Sequence, residues 1–583
     1  MLLPRLEPTP QTRLVTERFL GYDHRLAIPD GAFYDTENLS ARQFPLLCTR
    51  QRRGLAATLS APGGLIGKDA LCYVEGGTLY VNQLPTALTG LAAGQKQLVS
   101  MGAYVLVFPD KRYYNTEDPT DFGSLEADLT LTGSVRYTPC GPDGTPWADP
   151  DTGEHAPESP ADGALWLSEG RLYQYGEALG LWSELETVYT KLSFSTRGTL
   201  PALFSRYDGV EISGAAADHN GSRVLYAVGG GGNEDDYLVL VGVPGAAFTQ
   251  ENASLRIRRS VPDFDYVCEC QNRLWGCRYG HDGTRTVNEL YASALGDFKN
   301  FRQYLGLSTD SWTASCGSDG PWTGAVNFLG HPCFFKENRI HSVTVSPVGA
   351  HRIDETVCPG VQRGSAGSLT VVDESLYYLS PGGVCVWQGG LAQNIGAALG
   401  ETRYADAVGG AADGVYYLSM REGTGPSTPQ SQWQLFTYDT RRGIWYREDA
   451  LHVLAFAGAG GELYALAADG KLWALGGTAG TPETAFTWMA ETGIERCEGP
   501  ERQYLSRYSL RLQLAPSARV QVWLQYDSDG EWLPGGTVER GGLGTVTLPV
   551  RPRRCDHLRL RLTGRGEAKL LSLTRIREVG GDA

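Results

Sequence analysis

The stretch QNRLWGCRYGHDGTRTVNELYASALGDFKNF, residues Gln271–Phe301, is the part of the sequence that decides the fold class. It predicts two extended runs, Leu274–Tyr279 and Asn288–Ala292, separated by a Gly/Asp turn at 280–284 and closed by Gly-Asp at 296–297. Similar units, with an "LY" or "LW" pair between turns, recur through most of the chain. A single sheet of this size cannot bury both faces alone. The recurrence therefore predicts stacked or radially arranged β-units, for which a β-propeller is the closed solution.

The composition is that of a well-packed soluble protein, with 42% hydrophobic and 20% charged residues among 583. Lys and Arg number 51 against 66 Asp and Glu, a net charge of −15 that argues against a general nucleic-acid coat but permits a local basic surface. The opening MLLPRLEPTPQ lacks the apolar run of a signal peptide, and no later run is long enough for a membrane span. We expect synthesis in a cytoplasm.

The cysteines are scattered over the chain without a secretory signal, so we interpret them as reduced and mostly buried. They are Cys48, Cys72, Cys140, Cys268, Cys270, Cys277, Cys316, Cys333, Cys358, Cys385, Cys497 and Cys555.

Changes in spacing and turn composition divide the chain into five segments. We predict an extended N-terminal arm at 1–45, a first propeller part at 46–118, an inserted small β-barrel or sandwich at 119–257, a second propeller part at 258–492 and a C-terminal β-sandwich at 493–583. The fold class is thus all-β, with about six or seven blades. The sandwich is indicated by the alternation at 520–526, typical of half-buried antiparallel strands.

Three local patterns can each be interpreted as purely structural or as functional. Arg50, Arg52 and Arg53 are more readily a solvated or inter-subunit salt-bridge patch than a DNA contact, since three charges alone bind phosphates weakly. Gly229–Gly232 lacks the Lys-Ser/Thr of a phosphate loop, so we predict a hairpin tip. Ser528–Trp532 resembles the Asp-box turn of sialidases, a structural hairpin, and lacks the usual Thr before the Trp.

Metal sites are weakly indicated. Zinc ligands are available in the thiols of Cys268, Cys270 and Cys277 and the imidazole of His281, but paired CxxC knuckles are missing. A CxC pair on a strand also has both thiols on one face when that face is simply part of a buried core. DPDTGE, Asp149–Glu154, resembles half a calcium loop without its later ligands, which favours a plain turn. We predict no metal and no cofactor.

Catalytic constellations are equally sparse. The sequence contains no G-x-S-x-G elbow and no HExxH, and no pair of carboxylates stands out among its 66 acidic residues. Four of the nine histidines are expected on blade edges: His331, His341, His351 and His452. We therefore predict no catalytic residues and expect that the chain is not an enzyme.

Three segments resemble virion proteins of tailed bacteriophages and prophages. NLSARQFPLLCTRQRRG (Asn38–Gly54) resembles the entry segment of propeller-bearing tail proteins, and NRLWG with NELYASALGDFKNF resembles one of their blades. YDSDGEWLPGG (Tyr526–Gly536) with LPVRPRRCDHLRLRLTGRGEAKLLSLTRIREVG (Leu548–Gly580) resembles a C-terminal sandwich of prophage structural proteins. The functional analogy is the tail hub, or nozzle, of short-tailed phages.

That resemblance implies a structural protein of the virion tail, assembled in the host bacterial cytoplasm. It implies a homo-oligomeric ring, six copies by analogy, that meets portal and adaptor proteins and tail fibres or spikes and conducts DNA during ejection. A minor tail or baseplate protein of a long-tailed phage is an alternative. The alternative from another class is a carbohydrate-binding or glycan-cleaving propeller of the virion, which needs clustered Trp or Tyr and paired carboxylates. Trp312 and Trp322 are the nearest aromatic candidates, although core packing explains them as well.

Overall fold

The computed structural model describes residues 11–216, 219–243, 247–347, 351–423, 432–484, 486–496, 503–550, 553 and 555–579. Strands dominate these residues, which confirms the all-β fold class. Helix is found in one turn at Leu200–Leu203 and in 3-10 turns at Ala366–Ser368 and Gly396–Leu399. None of these helices is long or apolar enough to cross a bilayer.

The chain divides into two compact units. Unit 1 comprises 1–96, 334–341 and 355–583, and unit 2 comprises 97–333 and 342–354. The chain passes from one unit to the other within a run of four strands: Gly324–Phe328, His331–Lys336, Arg339–Thr344 and Arg352–Val357.

Unit 1 contains a series of antiparallel sheets, each with four main strands, most of which are consecutive in the chain. One sheet consists of Thr370–Val372, Ser375–Ser380, Gly383–Trp387 and Gln393–Asn394, and the next of Tyr404–Ala412, Val415–Glu422, Trp433–Asp439 and Ile444–Asp449. A third consists of Val453–Ala459, Glu462–Ala467, Lys471–Ala474 and Gly54–Thr58, and the short strand Thr481–Pro482 pairs with Gly54–Thr58. The fourth consists of Pro62–Gly67, Leu71–Glu75, Thr78–Val81 and Leu84–Pro85.

The first strands of three of these sheets contact one another in succession. Tyr404–Ala412 contacts Val453–Ala459, which in turn contacts Pro62–Gly67. The approach is close, because a Cβ on Gly67 would meet the carbonyl oxygen of Gly458 at 1.8 Å. This is the packing expected of neighbouring propeller blades, whereas the number of blades stays a prediction.

A β-sandwich completes unit 1. One of its sheets contains Gln11–Thr16, Leu39–Ser40, Leu47–Thr49, Gln503–Leu514, Gly542–Pro549 and Ala568–Val579. The other contains Ala32–Glu37, Thr487–Thr492, Glu495–Arg496, Arg519–Tyr526, Leu533–Val538 and His557–Arg565, and it continues through Gly21–Tyr22 into the sheet that ends at Ile444–Asp449.

The strand Arg519–Tyr526 shows why these residues form a sandwich. Its alternate residues Val520, Val522, Leu524 and Tyr526 are buried, which confirms the alternation read from the sequence. They share one core with residues of the facing sheet, where two rows of apolar side chains exclude water from each other.

The N-terminal segment differs from the arm expected at 1–45, of which residues 1–10 lie outside the described part. Gln11–Thr16 pairs with Ala568–Val579, and Ala32–Glu37 pairs with Thr487–Thr492. Phe19 and Phe33, at 0% and 2% exposure, belong to the sandwich core. The segment is therefore part of the sandwich, because two of its strands pair with strands more than 450 residues later in the chain.

Besides its part of the sheet at 324–357, the described residues of unit 2 form four sheets. Two are four-stranded antiparallel sheets with strands Gln97–Met101, Tyr104–Phe108, Arg112–Asn115 and Phe122–Ser124, and Tyr266–Cys270, Arg273–His281, Thr286–Ala292 and Trp312–Ser315. A small sheet has strands Asp151–Thr152, Leu165–Ser168, Arg171–Gly176 and Leu181–Glu184. The largest has seven: Ala127–Cys140, Tyr189–Phe194, Gly209–Ser213, Gly221–Val224, Ala227–Gly231, Glu234–Val241 and Phe248–Arg259.

The seven-stranded sheet encloses a core of its own, drawn from residues 127–257. That range lies within the segment predicted as an inserted β-domain. The stretch that opened the sequence analysis forms the hairpin Arg273–His281 and Thr286–Ala292. The turn before it has Gln271 and Asn272 at φ 52° and 56°, the left-handed pair that matches the twist of two-residue hairpins.

Candidate functional site

A polar groove of about 490 Å³ lies within unit 2. Its walls come from residues far apart in the sequence. They are the turn at Lys111, Glu126 just before the strand Ala127–Cys140, the segment 258–263 at and after the end of Phe248–Arg259, and the hairpin 273–292 with the loop that follows it. Both carboxylates and aromatic rings line it, together with five basic side chains. This groove is the candidate ligand-binding site, since ligands bind in clefts where a few polar groups converge.

Two carboxylates on one wall are held together by a lysine. Lys111 Nζ lies 2.8 Å from Glu126 Oε1 and 2.7 Å from Asp263 Oδ1, and it also donates to the carbonyl of Val261 at 2.7 Å. The Glu126 and Asp263 oxygens that contact Lys111 are therefore no more than about 5.5 Å apart. The hydrogen bond from Lys111 lowers the pKa of Asp263, so this carboxylate is ionised at neutral pH.

A third carboxylate, Glu289, is almost fully buried at 5% exposure. Arg285 Nη1 lies 2.7 Å from its Oε1, and the Tyr291 hydroxyl donates a hydrogen bond to its other oxygen. Burial, and then this hydrogen bond to a carboxylate, raises the pKa of Tyr291. The tyrosine therefore stays neutral and keeps a donor directed at Glu289.

The strand Thr286–Ala292 explains why a carboxylate occupies this position. Its residues Val287, Leu290 and Ala292 are buried, and Glu289 is buried among them opposite Arg278 and Ser315 of the adjacent strands. A charge in such a position is stable only when it is paired and hydrogen-bonded, which Arg285 and Tyr291 achieve.

Aromatic rings form another part of the wall. Phe264 contacts Tyr291 and Phe301 with ring centroids 5.8 Å and 5.3 Å apart. Tyr304 is 56% exposed, and its hydroxyl donates to the carbonyl of Phe301 at 3.1 Å. An exposed ring held by its own hydroxyl offers a flat apolar face beside the charged residues.

The basic residues are partly neutralised by neighbouring acids. Arg258 Nη2 donates to Glu211 Oε2 at 2.8 Å, Arg302 Nη2 lies 3.6 Å from the same oxygen, and Arg302 Nε donates to Ser260 Oγ at 3.2 Å. Arg278, by contrast, has no ion-pair partner among the described residues. The groove thus presents both donors and acceptors in fixed positions, which suits a ligand rich in hydroxyl groups.

The arginines singled out in the sequence lie elsewhere, in unit 1. Arg50 and Arg53 form ion pairs within the chain and are buried, instead of the solvated or inter-subunit patch that was expected. Arg53 Nη2 is 2.8 Å from Glu448 and Nη1 is 2.7 Å from Asp449, while Arg50 pairs with Glu483. Both guanidinium groups are buried, whereas Arg52 is exposed and 3.9 Å from its nearest acid. Buried, paired charges of this kind are not available to DNA.

The cysteines considered for zinc pack in a core. Cys268, Cys270 and Cys277 are buried on adjacent strands of unit 2, while His281 lies exposed at the end of the hairpin. Burial raises the pKa of the Cys270 thiol to about 12. Among the described residues, no group of three His, Cys, Asp or Glu side chains is placed to hold a metal ion. Cys497 lies outside those residues.

The loop patterns are structural, although Asp151–Thr152, within the turn expected at Asp149–Glu154, forms a short strand. The hairpin at Gly229–Gly232 is confirmed, with register between the strands on either side of it. Asp149–Glu154 is exposed, apart from the buried Pro150, and the carbonyl of Gly153 accepts from Trp166 Nε1 at 3.1 Å. Ser528–Trp532 joins two sandwich strands, and the Arg561 guanidinium lies 3.9 Å from the Trp532 ring centroid.

The aromatic candidates and the histidines do not assemble into one site. Trp322 is buried, and the half-buried Trp312 packs between Trp275 and His351. His452 stacks on Trp433 with centroids 3.5 Å apart. The remaining two histidines are separate from these: His331 Nδ1 donates to the carbonyl of Val343 at 3.2 Å, and His341 is buried beside Glu355.

The groove residues were missed because their positions in the sequence are unremarkable. Glu126, Asp263 and Glu289 are three acids among 66, and they come together only through the pairing of distant strands. The one local signal is Glu289, an acid flanked by apolar residues in a strand otherwise buried, where an unpaired charge would be costly.

No protein-family model matches this chain, and no curated protein sequence matches it. Among solved structures, an exo-β-1,3-galactanase from Phanerochaete chrysosporium with bound galactose is 10% identical, covers 53% of this chain and 94% of its own, and has a TM-score of 0.23. A family 43 arabinoxylan arabinofuranohydrolase from Bacillus subtilis, in complex with cellotetraose, is 10% identical, covers 52% and 94%, and has a TM-score of 0.19. TM-scores this low carry no argument about substrate or catalytic residues.

One expectation is nevertheless corrected by these comparisons. No catalytic motif was found in the sequence, and we expected that the chain is not an enzyme. The matched structures include several glycoside hydrolases, so that expectation is withdrawn. The expectation was weakly founded, because catalytic carboxylates need to be close in space and can be far apart in the sequence. A search for sequence motifs detects only residues that are close in the sequence.

Proposed function

We propose that this chain is a glycan-binding protein that acts through the groove in unit 2. The observation that carries the proposal is the combination of three carboxylates, Glu126, Asp263 and Glu289, with the exposed ring of Tyr304 in one groove. Sugars have apolar faces that stack on aromatic rings and hydroxyl groups that donate to carboxylates and accept from arginines. This is the set of groups that the carbohydrate alternative required, built from residues other than Trp312 and Trp322.

The same groove contains the groups that glycosidic hydrolysis requires. Hydrolysis with retention needs two carboxyl groups about 5–5.5 Å apart, one of them ionised as nucleophile. Asp263, with its lowered pKa, meets the second condition, and Glu126 lies within the required distance of it. A glycan that displaces the Lys111 ammonium from between them would complete the arrangement, so hydrolysis is tested together with binding.

The architecture proposed for this function is a propeller of six or seven blades, with the inserted β-domain and the C-terminal sandwich as separate additions. The four-stranded sheets and the successive contacts of their first strands in unit 1 support it. So does the strand Gly54–Thr58, which completes a sheet whose other main strands lie at 453–474. An early strand that completes a late sheet closes a ring of blades and leaves few edges exposed.

The test is a glycan-binding screen followed by titration of the best ligand against variants of the full chain. Glu289→Gln and Tyr304→Ala should each weaken binding about tenfold or more, since one loses a charged acceptor and the other a stacking face. Glu184→Gln is the matched control: Glu184 is an exposed acid of the same unit, paired only with the exposed Arg171 at 3.1 Å.

The hydrolysis arm uses Asp263→Asn and Glu126→Gln with the same glycan. Reducing-end release that is lost in both variants while binding persists assigns cleavage to this pair. If no glycan binds, or if Glu289→Gln and Tyr304→Ala bind as tightly as the unaltered chain, the groove is not a glycan site and the proposal fails.

A second candidate is the one implied by the bacteriophage resemblance: a virion tail protein that forms a ring, six copies by analogy, through which DNA passes. One observation favours a contact between copies. The strand Gln11–Thr16 pairs with Ala568–Val579 on one side, and no described strand pairs with its other side. Leu14 and Val15 of this edge are 38% and 43% exposed. An unpaired strand edge is a template for a neighbouring chain.

This candidate is tested by the oligomeric state. Light scattering and negative-stain imaging of the full chain should show closed rings, and Val15→Glu should convert them to single copies. Leu26→Glu is the control, because Leu26 is 90% exposed and lies away from that strand. A single-copy protein at all concentrations would remove the ring from consideration and leave the glycan proposal untouched.

A further inference from the structure

The small four-stranded sheet of unit 2 has aromatic rings on its outer face. On its inner face, Leu165 and Leu172 are buried in a core with Val188. Successive side chains of a strand point to opposite faces, so the residues next to them point outwards. These outward residues include Trp166, Tyr173, Tyr175 and Trp182. An antiparallel sheet with one buried face normally has polar residues on the other face, and four rings there are the composition of a contact surface.

The four rings form one continuous patch. The Trp166 ring centroid lies 5.1 Å from that of Tyr173 and 5.8 Å from that of Trp182, and the centroids of Trp182 and Tyr175 are 5.4 Å apart. Each ring is only partly buried. Trp166 is held in place by a hydrogen bond from its Nε1 to the carbonyl of Gly153 at 3.1 Å. The patch is therefore an ordered apolar surface that a partner can reach.

The segment that contains this sheet is strongly acidic. Residues 141–187 contain ten Asp and Glu against one Arg, a net charge of −9 in a chain whose total is −15. All ten acidic residues are exposed, and among the described residues only Glu184 has an ion-pair partner, Arg171 at 3.1 Å. Asp151 stands opposite Trp166 in the sheet and so lies on the side of the rings. This aromatic acidic face therefore attracts a cationic partner and repels an anionic one.

The β-sandwich of unit 1 has an outer face of the opposite charge. On the strand Gln503–Leu514, Arg507 and Arg511 alternate with core residues and are exposed. Arg13, also exposed, lies on the same side, because Arg13 and Arg507 both stand opposite Ile576. Among the described residues, none of these three arginines has an ion-pair partner. Arg13, Arg507 and Arg511 define the arginine face.

The side chains around these arginines are small and uncharged. They are Ser509, Thr545, Thr547, Ser572 and Thr574. The Ser509 and Thr547 hydroxyl oxygens lie 2.8 Å apart, so these residues bond to each other. Glu578, an acid at one end of the face, accepts a hydrogen bond from Gln11 at 2.8 Å. Short neighbours leave the guanidinium groups above the sheet, where they can contact another molecule.

We propose that these two faces bind each other between neighbouring copies of this chain, the aromatic acidic face of one copy against the arginine face of the next. Arginine suits this contact because its planar guanidinium stacks on Trp and Tyr rings and also pairs with carboxylates. Opposite charges steer the two faces together, and like faces repel each other. The contact joins different surfaces of the two copies, so it is heterologous and can extend into a ring or an open chain.

This contact is separate from the glycan groove and does not depend on glycan binding. It also differs from the contact considered for the strand Gln11–Thr16, in which the backbone groups of a strand edge would pair with a neighbour. Here the side chains of two sheet faces make the contact. It gives the ring candidate a pair of surfaces, but it holds equally for a pair of copies or an open chain.

The experiment is sedimentation velocity of the full chain at about 50 mM and about 500 mM salt, because salt screens exposed charges. Copies should associate at low salt, and the association should weaken at least about tenfold at high salt. At low salt, Arg507→Glu with Arg511→Glu should weaken it at least about tenfold, and so should Asp151→Lys with Glu177→Lys. Trp182→Leu keeps an apolar side chain but loses the stacking face, so it should weaken association about fivefold.

Mixing the two double variants separates recognition from misfolding. The variant with both arginines replaced keeps its aromatic acidic face, and the variant with both acids replaced keeps its arginine face. Each should be a single copy alone, and the mixture should form pairs that contain one copy of each variant. Nothing larger should form, because the two remaining faces of such a pair are the altered ones.

Two charge-matched variants are the controls. Arg52→Glu with Arg441→Glu changes the net charge equally, but these exposed arginines of unit 1 lie outside the arginine face. Asp469→Lys with Glu539→Lys does the same for two exposed acids outside residues 141–187. Both controls should associate like the unaltered chain.

Four results overturn the proposal. A chain that stays a single copy at low salt has no such contact, and this result also removes the ring candidate while leaving the glycan proposal untouched. Association that neither double variant weakens would place the contact on another surface. Double variants that stay single copies when mixed would show that the two faces do not bind each other. A DNA duplex that binds single copies, and is lost with Arg507→Glu and Arg511→Glu, would assign the arginine face to nucleic acid.

Discussion

Replacing Arg53 by methionine tests whether the buried ion pairs of unit 1 hold its sheets together. The guanidinium is 4% exposed and lies 2.8 Å from Glu448 and 2.7 Å from Asp449, and its backbone amide donates to Glu483 at 2.8 Å. Methionine fills much of the same volume but leaves two acids without their cation. Breaking a buried pair by removing one partner costs about 3–5 kcal/mol.

That loss translates into a measurable shift. Unit 1 has over 300 residues, so 1 kcal/mol corresponds to somewhat more than about 1 °C and the variant should melt roughly 4–7 °C lower. The assay is differential scanning calorimetry of the full chain, following the transition that the substitution moves. Arg52→Met is the control, because Arg52 is exposed and 3.9 Å from Glu567. Equal shifts in the two variants would refute the reasoning.

The same pair sets a pH dependence. Burial alone would raise the pKa of Asp449, but the attraction of Arg53 outweighs it and the pKa is lowered. A carboxyl whose pKa is lower in the folded state contributes stability above its unfolded pKa of about 3.9 and loses it as the pH falls through the folded value. The difference in melting temperature between the unaltered chain and Arg53→Met should therefore be full at pH 7 and should shrink below about pH 4. A difference that grows on acidification would contradict the assignment.

Three further outcomes are expected. Gly67→Ala should destabilise unit 1 by at least about 2 kcal/mol, since its Cβ would meet a backbone oxygen at 1.8 Å. Gly390→Ala is the control, because the space around Gly390 is open and this variant should keep its stability. Equal melting temperatures for the two variants would contradict the close strand packing. Phe19→Ala should lower the free energy of unfolding by about 3–5 kcal/mol and make the sandwich sensitive to protease. Deletion of residues 1–37 should have the same effects. A sandwich that stays resistant to protease in both variants would show that the segment is dispensable. Thiol titration of the native chain should label Cys316 first and leave Cys270 unreacted, and stoichiometric zinc in the purified protein would overturn the prediction of unligated thiols.

Local patterns in the sequence predicted local structure well. The Gly-Gly pair at 76–77, a sequence typical of a hairpin turn, joins Leu71–Glu75 to Thr78–Val81, because glycines reach the left-handed conformation, with φ of 54° and 83° here. The alternation of Val520, Val522 and Leu524 predicted a half-buried strand, since successive side chains of a strand point to opposite faces.

Long-range pairing could not be predicted in the same way. Nothing within residues 11–37 specifies that their partners lie beyond 486, since any strand edge offers the same backbone groups. The candidate groove was missed for a related reason: Lys111, Asp263 and Glu289 come from three separate turns and strands. Charge pairing between distant segments leaves no periodic signal, so a site made of such pairs is visible only in the folded chain.

The pairing of Gln11–Thr16 with Ala568–Val579 has a consequence for the order of folding during synthesis. At ordinary translation rates of about 5–20 residues per second, the first strand waits roughly half a minute to two minutes before its partner is made. Unit 2, whose residues are contiguous apart from one short return, can complete its seven-stranded sheet during that interval. The half-built sandwich meanwhile carries Phe19 and Phe33 without the strands that cover them. A cell that makes this protein must therefore protect an early segment until a late one arrives, and slow translation should increase its loss to proteolysis.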